Sequence, residues 1–212
     1  MGTTDSTASI GLRDFFDLAP SVVMRDPLAE FLGAADGGLM EYRYADAVRL
    51  AGHSCPTVAG SFLMVLHSLR ALYGDDTPVR GEVQVAMADS RDAGTTGVMA
   101  TVAQLVTGAA PETGFGGIGG RFNRKDLLGY DASVAGVLGL RRLDTGEGVQ
   151  ASLDTSIVPM GPEMQTLFPR AASGMGTPDE CRRFGELWQD RVRYMLVEVP
   201  NDPRLVQIAP WA

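Results

Sequence analysis

The chain has 212 residues, of which 45% are hydrophobic and 21% are charged. That length suits one globular domain, and the apolar content is high enough for a buried core, which excludes a disordered or fibrous protein. The formal net charge of −8 repels phosphate backbones and anionic lipid surfaces, so neither nucleic acid nor a membrane is an expected partner. No run of about 18 apolar residues predicts a transmembrane span.

Few side chains are available for metal or nucleophilic chemistry. The chain has two histidines, His53 and His67, and two cysteines, Cys55 and Cys181, while Lys125 is its single lysine. Two cysteines do not form a disulfide framework, and the N-terminal residues lack the basic stretch and apolar run of a secretory signal. We therefore expect a cytoplasmic protein.

The predicted elements begin with a small, polar segment. Residues 1–9 indicate a flexible N-terminus, followed by a single domain over residues 10–212 with helical N-terminal and C-terminal extensions. Apolar spacing predicts one or two short helices over residues 12–32, interrupted at Pro20 and Pro27. An aromatic alternation at residues 42–44 then predicts a strand, and a helical turn before residue 52.

The rest of the chain mixes helices and strands without regular alternation. The longest predicted helix begins at Pro56 and ends before Gly74. The further predicted elements are a strand within 79–89, a helix over 97–106, a hairpin from 133–143 and 148–156, helices near 162–168 and over 179–198, and an edge strand at 204–209. This pattern predicts an α+β fold in which helices pack on a mixed sheet.

The segment Gly52-His53-Ser54-Cys55-Pro56 carries the strongest indication of chemistry. If Pro56 opens the helix, Cys55 is its N-cap, where unpaired N–H groups and the helix dipole favour a thiolate. His53 can turn its imidazole toward the same point, so the two side chains can form two corners of a metal site. The alternative is that His53 hydrogen-bonds locally and Cys55 is a buried cap.

Two motifs together resemble the FmdE-like family, which is named after a component of formylmethanofuran dehydrogenase. They are the segment at 52–56 and the Q-x-x-T-G segment at 104–108 that ends the next helix, and the resemblance covers about residues 40–145. It implies an α+β domain, often dimeric, that holds a metal, commonly zinc. The implied ligands are His53, Cys55 and a cysteine at the start of that next helix.

The chain departs from the family pattern at this third ligand. The family's cysteine position falls near Val98, and the paired cysteines of a zinc ribbon are absent. A metal held by His53 and Cys55 would therefore need Asp89, Asp92, a second subunit, water or an exogenous ligand to complete its shell. Because haem iron is commonly held by a single protein ligand, a haem with His53 or Cys55 as axial ligand is the second interpretation.

The other histidine and cysteine lie away from this motif. His67 falls about 11 residues into the helix, on the order of 16 Å along its axis from Pro56, so one ion cannot reach both histidines of one chain. Its apolar neighbours favour a half-buried packing histidine, although in a haem-binding dimer the partner subunit's His67 can approach the iron. Cys181, near the start of the last helix, is predicted to be a passive thiol.

Two loops carry further candidates. Asp89 and Asp92 lie between a strand and a helix, where they can act as ligands, as acid–base groups, or as ordinary caps. The glycine-rich segment 114–122 ends at Arg121, near Arg124 and Lys125, and it can approach an anion. We interpret Arg121 as a group that can recognise the carboxylate of a haem propionate or a small acid, with a mobile lid as the alternative.

The sequence therefore predicts a cytoplasmic, homodimeric, FmdE-like protein with zinc or haem iron at His53 and Cys55. If the centre is catalytic, an oxidoreductase is the expected class, and the open coordination position binds a small-molecule substrate beside Asp89, Asp92 or Arg121. Two alternatives stay open. One is a non-enzymatic zinc-binding accessory module of a larger oxidoreductase, and the other is a scaffold without metal.

Overall fold

A computed structural model describes residues 11–212, and the predicted flexible segment 1–9 lies outside them. Two sheets are present in this part of the chain. The smaller is an antiparallel pair, β1 (Val22–Arg25) and β2 (Leu39–Tyr42), joined through the short helix α1 (Pro27–Phe31). The larger contains β3 (Val83–Met87), β4 (Leu128–Gly129), β5 (Leu138–Arg142), β6 (Gly148–Leu153) and β7 (Val206–Pro210), in the order β4-β3-β5-β6-β7.

The larger sheet is mixed, because β4 runs parallel to β3 while the other neighbouring strands pair antiparallel. The remaining helices are α2 (Tyr44–Ala51), α3 (Pro56–Tyr73), α4 (Thr96–Thr107), α5 (Pro162–Ala172) and α6 (Pro178–Arg193). The predicted α+β class with a mixed sheet is confirmed. Within residues 11–212, every helix is too short or too polar to cross a membrane.

Helix α3 forms the centre of the fold. It begins where the sequence predicts, with Pro56 in the first turn, and ends at Gly74, whose φ of 57° only glycine adopts easily. Its side chains are buried on nearly every face, and Phe62, Leu63 and Leu69 are fully inaccessible. The helix is therefore covered on several sides, by α2, α4 and the β5–β7 half of the sheet.

Gly60 sets the distance between α3 and strand β6. A Cβ atom at this position would lie 2.3 Å from Cδ2 of Leu153, well inside van der Waals contact. The leucine side chain occupies the space that any larger residue would take. The helix and the strand approach as closely as they do because position 60 has no side chain.

The N-terminal region differs from its prediction. Val22 and Val23 belong to β1 and pair with Tyr42 and Glu41 of β2, whereas the apolar spacing predicted a helix there. Two adjacent β-branched residues suit a strand, and the prolines at 20 and 27 leave too few residues between them for a stable helix. Strand β4 has only two residues and was not predicted.

A buried group of charges connects the end of β1 to Arg124, which follows the glycine-rich segment. Asp26 accepts hydrogen bonds from Arg80 (2.9 Å) and Arg124 (2.6 Å), and its side chain is only 5% exposed. It also caps α1 by accepting the N–H groups of Leu28 and Ala29. Both carboxylate oxygens are thus occupied. This cluster of Asp26, Arg80 and Arg124 is called the Asp26 cluster below.

Candidate functional site

His53 and Cys55 lie on the turn between α2 and α3, and the structure brings their side chains together. Nε2 of His53 is 3.4 Å from Sγ of Cys55. Nδ1 of His53 is 3.0 Å from the carbonyl oxygen of Ala51. Because a carbonyl can only accept, Nδ1 carries the hydrogen, and Nε2 of the neutral ring keeps its lone pair. Two possible electron-pair donors therefore lie in direct contact with each other.

The local sequence explains this geometry. Gly52 ends α2 with a left-handed φ of 74°, which turns the chain toward α3. Cys55 is the N-cap of α3, and its Sγ accepts the backbone N–H of Val58 at 3.4 Å. His53 is exposed and Cys55 is half-buried. The pair is therefore reachable from solvent while its sulfur lies at the positive end of a long helix.

Ser54, between the two, is held on both sides. Its hydroxyl lies 2.9 Å from that of Tyr44 on α2, and its carbonyl oxygen accepts from Nε1 of Trp188 (3.2 Å) and Nε2 of Gln189 (3.0 Å) on α6. Burial raises the pKa of Tyr44, so its hydroxyl stays protonated. These contacts fix the backbone that carries His53 and Cys55.

A cavity of about 370 Å³ opens beside Cys55. Threonines from α3, from the turn before α4 and from the turn after β6 line it, and no aspartate or glutamate of residues 11–212 does. The apolar part of its wall consists of Met99, Val137, Leu153 and Trp188. A pocket of this size and composition suits a small molecule with an apolar part.

Arg191 adds a positive charge to this cavity. Its Nε donates to the carbonyl oxygen of Val158. Burial lowers the pKa of the Arg191 guanidinium, and no acidic side chain in the described part of the chain opposes this effect. Within residues 11–212, the guanidinium has no ion-pair partner, in contrast to the arginines of the Asp26 cluster.

The other predicted site residues lie elsewhere. Arg121 lines a separate cavity of about 730 Å³ beside α1, and its guanidinium carbon lies 4.5 Å from the centre of the Phe122 ring. Asp89 and Asp92 do not line the Cys55 cavity, and Asp92 accepts a hydrogen bond from Ser90. From their loop, Thr95 is the residue that reaches the cavity.

Within residues 11–212, one chain consequently offers a metal ion at this turn the two donors His53 and Cys55. Among the residues that the structure describes, no three histidine, cysteine, aspartate or glutamate side chains are grouped closely enough to hold an ion. The structure thus brings His53 and Cys55 together, and it does not bring Asp89, Asp92 or Arg121 to them.

The second histidine and the second cysteine are separate from the pair. His67 is half-buried, and its Nε2 donates to the carbonyl oxygen of Pro200 at 2.7 Å. Burial lowers the pKa of His67, although the hydrogen bond to Pro200 opposes this change. Cys181 is an exposed free thiol. His67 therefore connects α3 to the segment before β7, in agreement with its interpretation as a packing residue.

Tyr44, Gln189 and Arg191 were not predicted from the sequence as parts of the site. One signal was available, because Arg191 follows Trp188 by three residues and so shares its helix face. The partners of Gln189 and Arg191 are backbone carbonyls, which carry no sequence signal. No protein-family model and no curated protein sequence matches this chain.

Proposed function

We propose that this chain is an FmdE-like protein that binds a metal centre through Nε2 of His53 and Sγ of Cys55. The observation that carries the proposal is the 3.4 Å separation of these two atoms. In a tetrahedral zinc site, Zn–N is about 2.0–2.1 Å and Zn–S about 2.3 Å, so two such ligands lie about 3.6 Å apart. The observed separation is therefore close to that of two ligands of one zinc ion.

The surroundings of the pair support metal binding. Metal-ligating histidines usually donate their second ring N–H to a carbonyl or carboxylate, as His53 does to Ala51. Zinc is favoured over haem iron, because two donors lie 3.4 Å apart, whereas haem iron takes one protein ligand on a given face. Haem iron held by one of the two is the competing form of the proposal.

The cavity supports the family resemblance. Met99 follows Val98, near which the resemblance implies a cysteine, and its side chain lines the same cavity as Cys55. Two protein ligands leave two tetrahedral positions for water, a small-molecule ligand or the partner subunit of a homodimer. A bound ion would act there as a Lewis acid and would lower the pKa of a coordinated water.

The residues of the chain have separate roles in this proposal. His53 and Cys55 bind the ion, the Ser54 contacts hold both ligands in position, and the apolar wall of the cavity restricts water around a bound small molecule. An open centre of this kind favours an enzyme over the accessory module. The accessory form predicts that the purified chain alone transforms no small molecule.

Metal analysis of the purified protein tests the proposal. We expect one zinc per chain, and a Co²⁺-substituted form with a thiolate-to-metal charge-transfer band in the near ultraviolet. Cys55→Ala removes that band, and either Cys55→Ala or His53→Ala weakens zinc binding by more than about 10- to 100-fold, the loss typical of mere outer-shell partners. Matched controls are Cys181→Ala and His67→Gln, which leave zinc binding unchanged.

The same measurements separate the competing forms. An intense Soret band that disappears in one ligand variant would show that the centre holds haem iron instead of zinc. Protein that contains neither metal and binds neither when it is offered would refute the metal centre. Full zinc occupancy in His53→Ala would show that the wrong ligand has been chosen.

A metal-free thiol–imidazole pair is the second candidate, and it is favoured by the absence, within residues 11–212, of a third His, Cys, Asp or Glu at the pair. In that form, Nε2 of His53 accepts the proton of the Cys55 thiol, as the base does beside a nucleophilic cysteine. We then expect fast alkylation of Cys55 by iodoacetamide that slows in His53→Ala. In the metal form, zinc protects Cys55 and leaves Cys181 reactive.

A further inference from the structure

We propose that the cavity beside Cys55 binds a small monocarboxylic acid, with its carboxylate on Arg191 and its apolar body against Trp188. The acid would be the small-molecule ligand of the proposed metal centre. Only its position beside the metal rests on the proposed function. The ligand site itself is formed by α3, α4, α6 and the residues around the end of β6.

The charge distribution around the cavity favours an anion. The chain carries a formal net charge of −8, yet among residues 11–212 Arg191 is the only charged residue that lines this cavity. The N-terminus of α3 also points its positive end here, through Cys55 and Thr57. This pocket of an acidic protein is therefore positively charged and free of the carboxylates that the structure describes.

The geometry of Arg191 favours a carboxylate among the anions. Its Nε is engaged by Val158, which orients the guanidinium, and neither Nη group has a hydrogen-bond partner within residues 11–212. A guanidinium fork matches the two oxygens of a planar carboxylate. One guanidinium leaves the second charge of a phosphate dianion unpaired.

The remaining walls favour a short apolar body. Met99, Val137, Leu153 and Trp188 form one continuous lining with the hydroxyls of threonines. At about 370 Å³, the cavity lies at the small end of ligand pockets. A cavity of this size has room for a ring or a short branched chain against these side chains.

Titration of the full chain with benzoate tests the proposal, first without metal and then with zinc. Calorimetry should show benzoate binding, with benzamide and inorganic phosphate each at least about tenfold weaker, the scale of a lost charge-assisted hydrogen bond. In a ¹⁵N spectrum, the indole N–H signal of Trp188 should shift on addition of benzoate, while that of Trp211 should not.

Variants identify the recognising group. Arg191→Gln should weaken benzoate binding about 10- to 100-fold. Arg191→Lys keeps the charge but not the planar fork, so its affinity for benzoate should lie between those of the parent and of Arg191→Gln. Arg182→Gln, an exposed arginine of the same helix that pairs with Asp179, should bind like the parent. Circular dichroism identifies any variant that fails to fold, and the Trp188 signal then gives the result from the unmodified chain.

Several results would overturn the proposal. They are no shift of the Trp188 signal with benzoate, equal binding of benzamide and benzoate, tighter binding of phosphate, or unchanged binding in a folded Arg191→Gln. Benzoate binding through Arg191 in protein that takes no zinc would uphold the ligand site and refute only the metal centre. Zinc binding without benzoate binding would uphold the metal centre and refute the ligand site.

Discussion

The Asp26 cluster and the surroundings of Arg191 both remove arginines at least partly from water, but they differ in whether the charge is neutralised. In the Asp26 cluster, Arg80 and Arg124 both bind one carboxylate, and the Arg124 side chain is 8% exposed. Arg191 is more accessible and lines a cavity, yet within residues 11–212 no acid faces it. The charges of the Asp26 cluster are paired inside the protein, whereas the charge of Arg191 can pair with a bound anion.

Within residues 11–212, one guanidinium nitrogen of the Asp26 cluster lacks a hydrogen-bond partner but also lacks space for a ligand. Nη1 of Arg124 is buried without a hydrogen-bond partner in the described part of the chain, which by itself could suggest a ligand. However, a Cβ on Gly81 would lie 1.6 Å from this atom. The guanidinium lies directly on the glycine backbone, so no ligand has room there. Arg191 has both an unpaired charge and a cavity.

Removing the shared carboxylate gives the largest expected effect. Asp26→Ala leaves two arginines, one of them fully buried, without a counter-charge, and loss of one partner of a buried pair typically costs about 3–5 kcal/mol. The free energy of unfolding in urea measures this loss. Asp179→Ala, which removes an exposed partner of Arg182, is the matched control and should leave stability unchanged. A loss below about 1 kcal/mol in Asp26→Ala would show that the cluster is not structural.

Acid should remove the same contribution. Burial raises the pKa of Asp26, but the Arg80 hydrogen bond and the charge of Arg124 outweigh it, so the pKa is lowered. Because an unfolded aspartate titrates near about 3.9, the stabilisation is complete above that pH and is lost as pH falls through the lower folded-state pKa. The stability difference between parent and Asp26→Ala should therefore be constant near neutrality and shrink below about pH 4. A difference that grows in acid would contradict this sign.

Replacing the unpaired arginine gives the smallest expected effect on stability. Arg191→Gln loses the hydrogen bond to Val158 but also relieves the desolvation of an unpaired charge, so the free energy of unfolding should change by less than about 1 kcal/mol. The same urea experiment measures it. If Arg191→Gln were as damaging as Asp26→Ala, Arg191 would be a structural residue and the contrast between the two environments would not hold.

The sequence predicted those parts of the site that depend on local backbone chemistry. A glycine before His53 and a proline after Cys55 specify the end of one helix and the start of the next, and the structure has both. It could not predict that Arg191 lacks a partner within residues 11–212, because pairing depends on residues distant in the chain. For the same reason, Arg121 was predicted beside a carboxylate at the metal, whereas it lines a different cavity.

Strand β1 illustrates the limit for the fold. The four residues of β1, which lie between Pro20 and Pro27, carry too little periodicity to distinguish helix from strand. Their pairing with β2, 14 to 20 residues later, decides the outcome. Helix α3 is the opposite case, because proline, eighteen helical residues and a terminal glycine agree with one another.

The close approach at Gly60 links the interior of the protein to the shape of the Cys55 cavity. Leu153 is at once the side chain that fills the space above Gly60 and part of the wall of the Cys55 cavity. A methyl group added at position 60 would displace that leucine, and the cavity would change shape without any substitution at its surface. A substitution in the core can thus change which of the proposed acids, narrow or broad, the cavity admits.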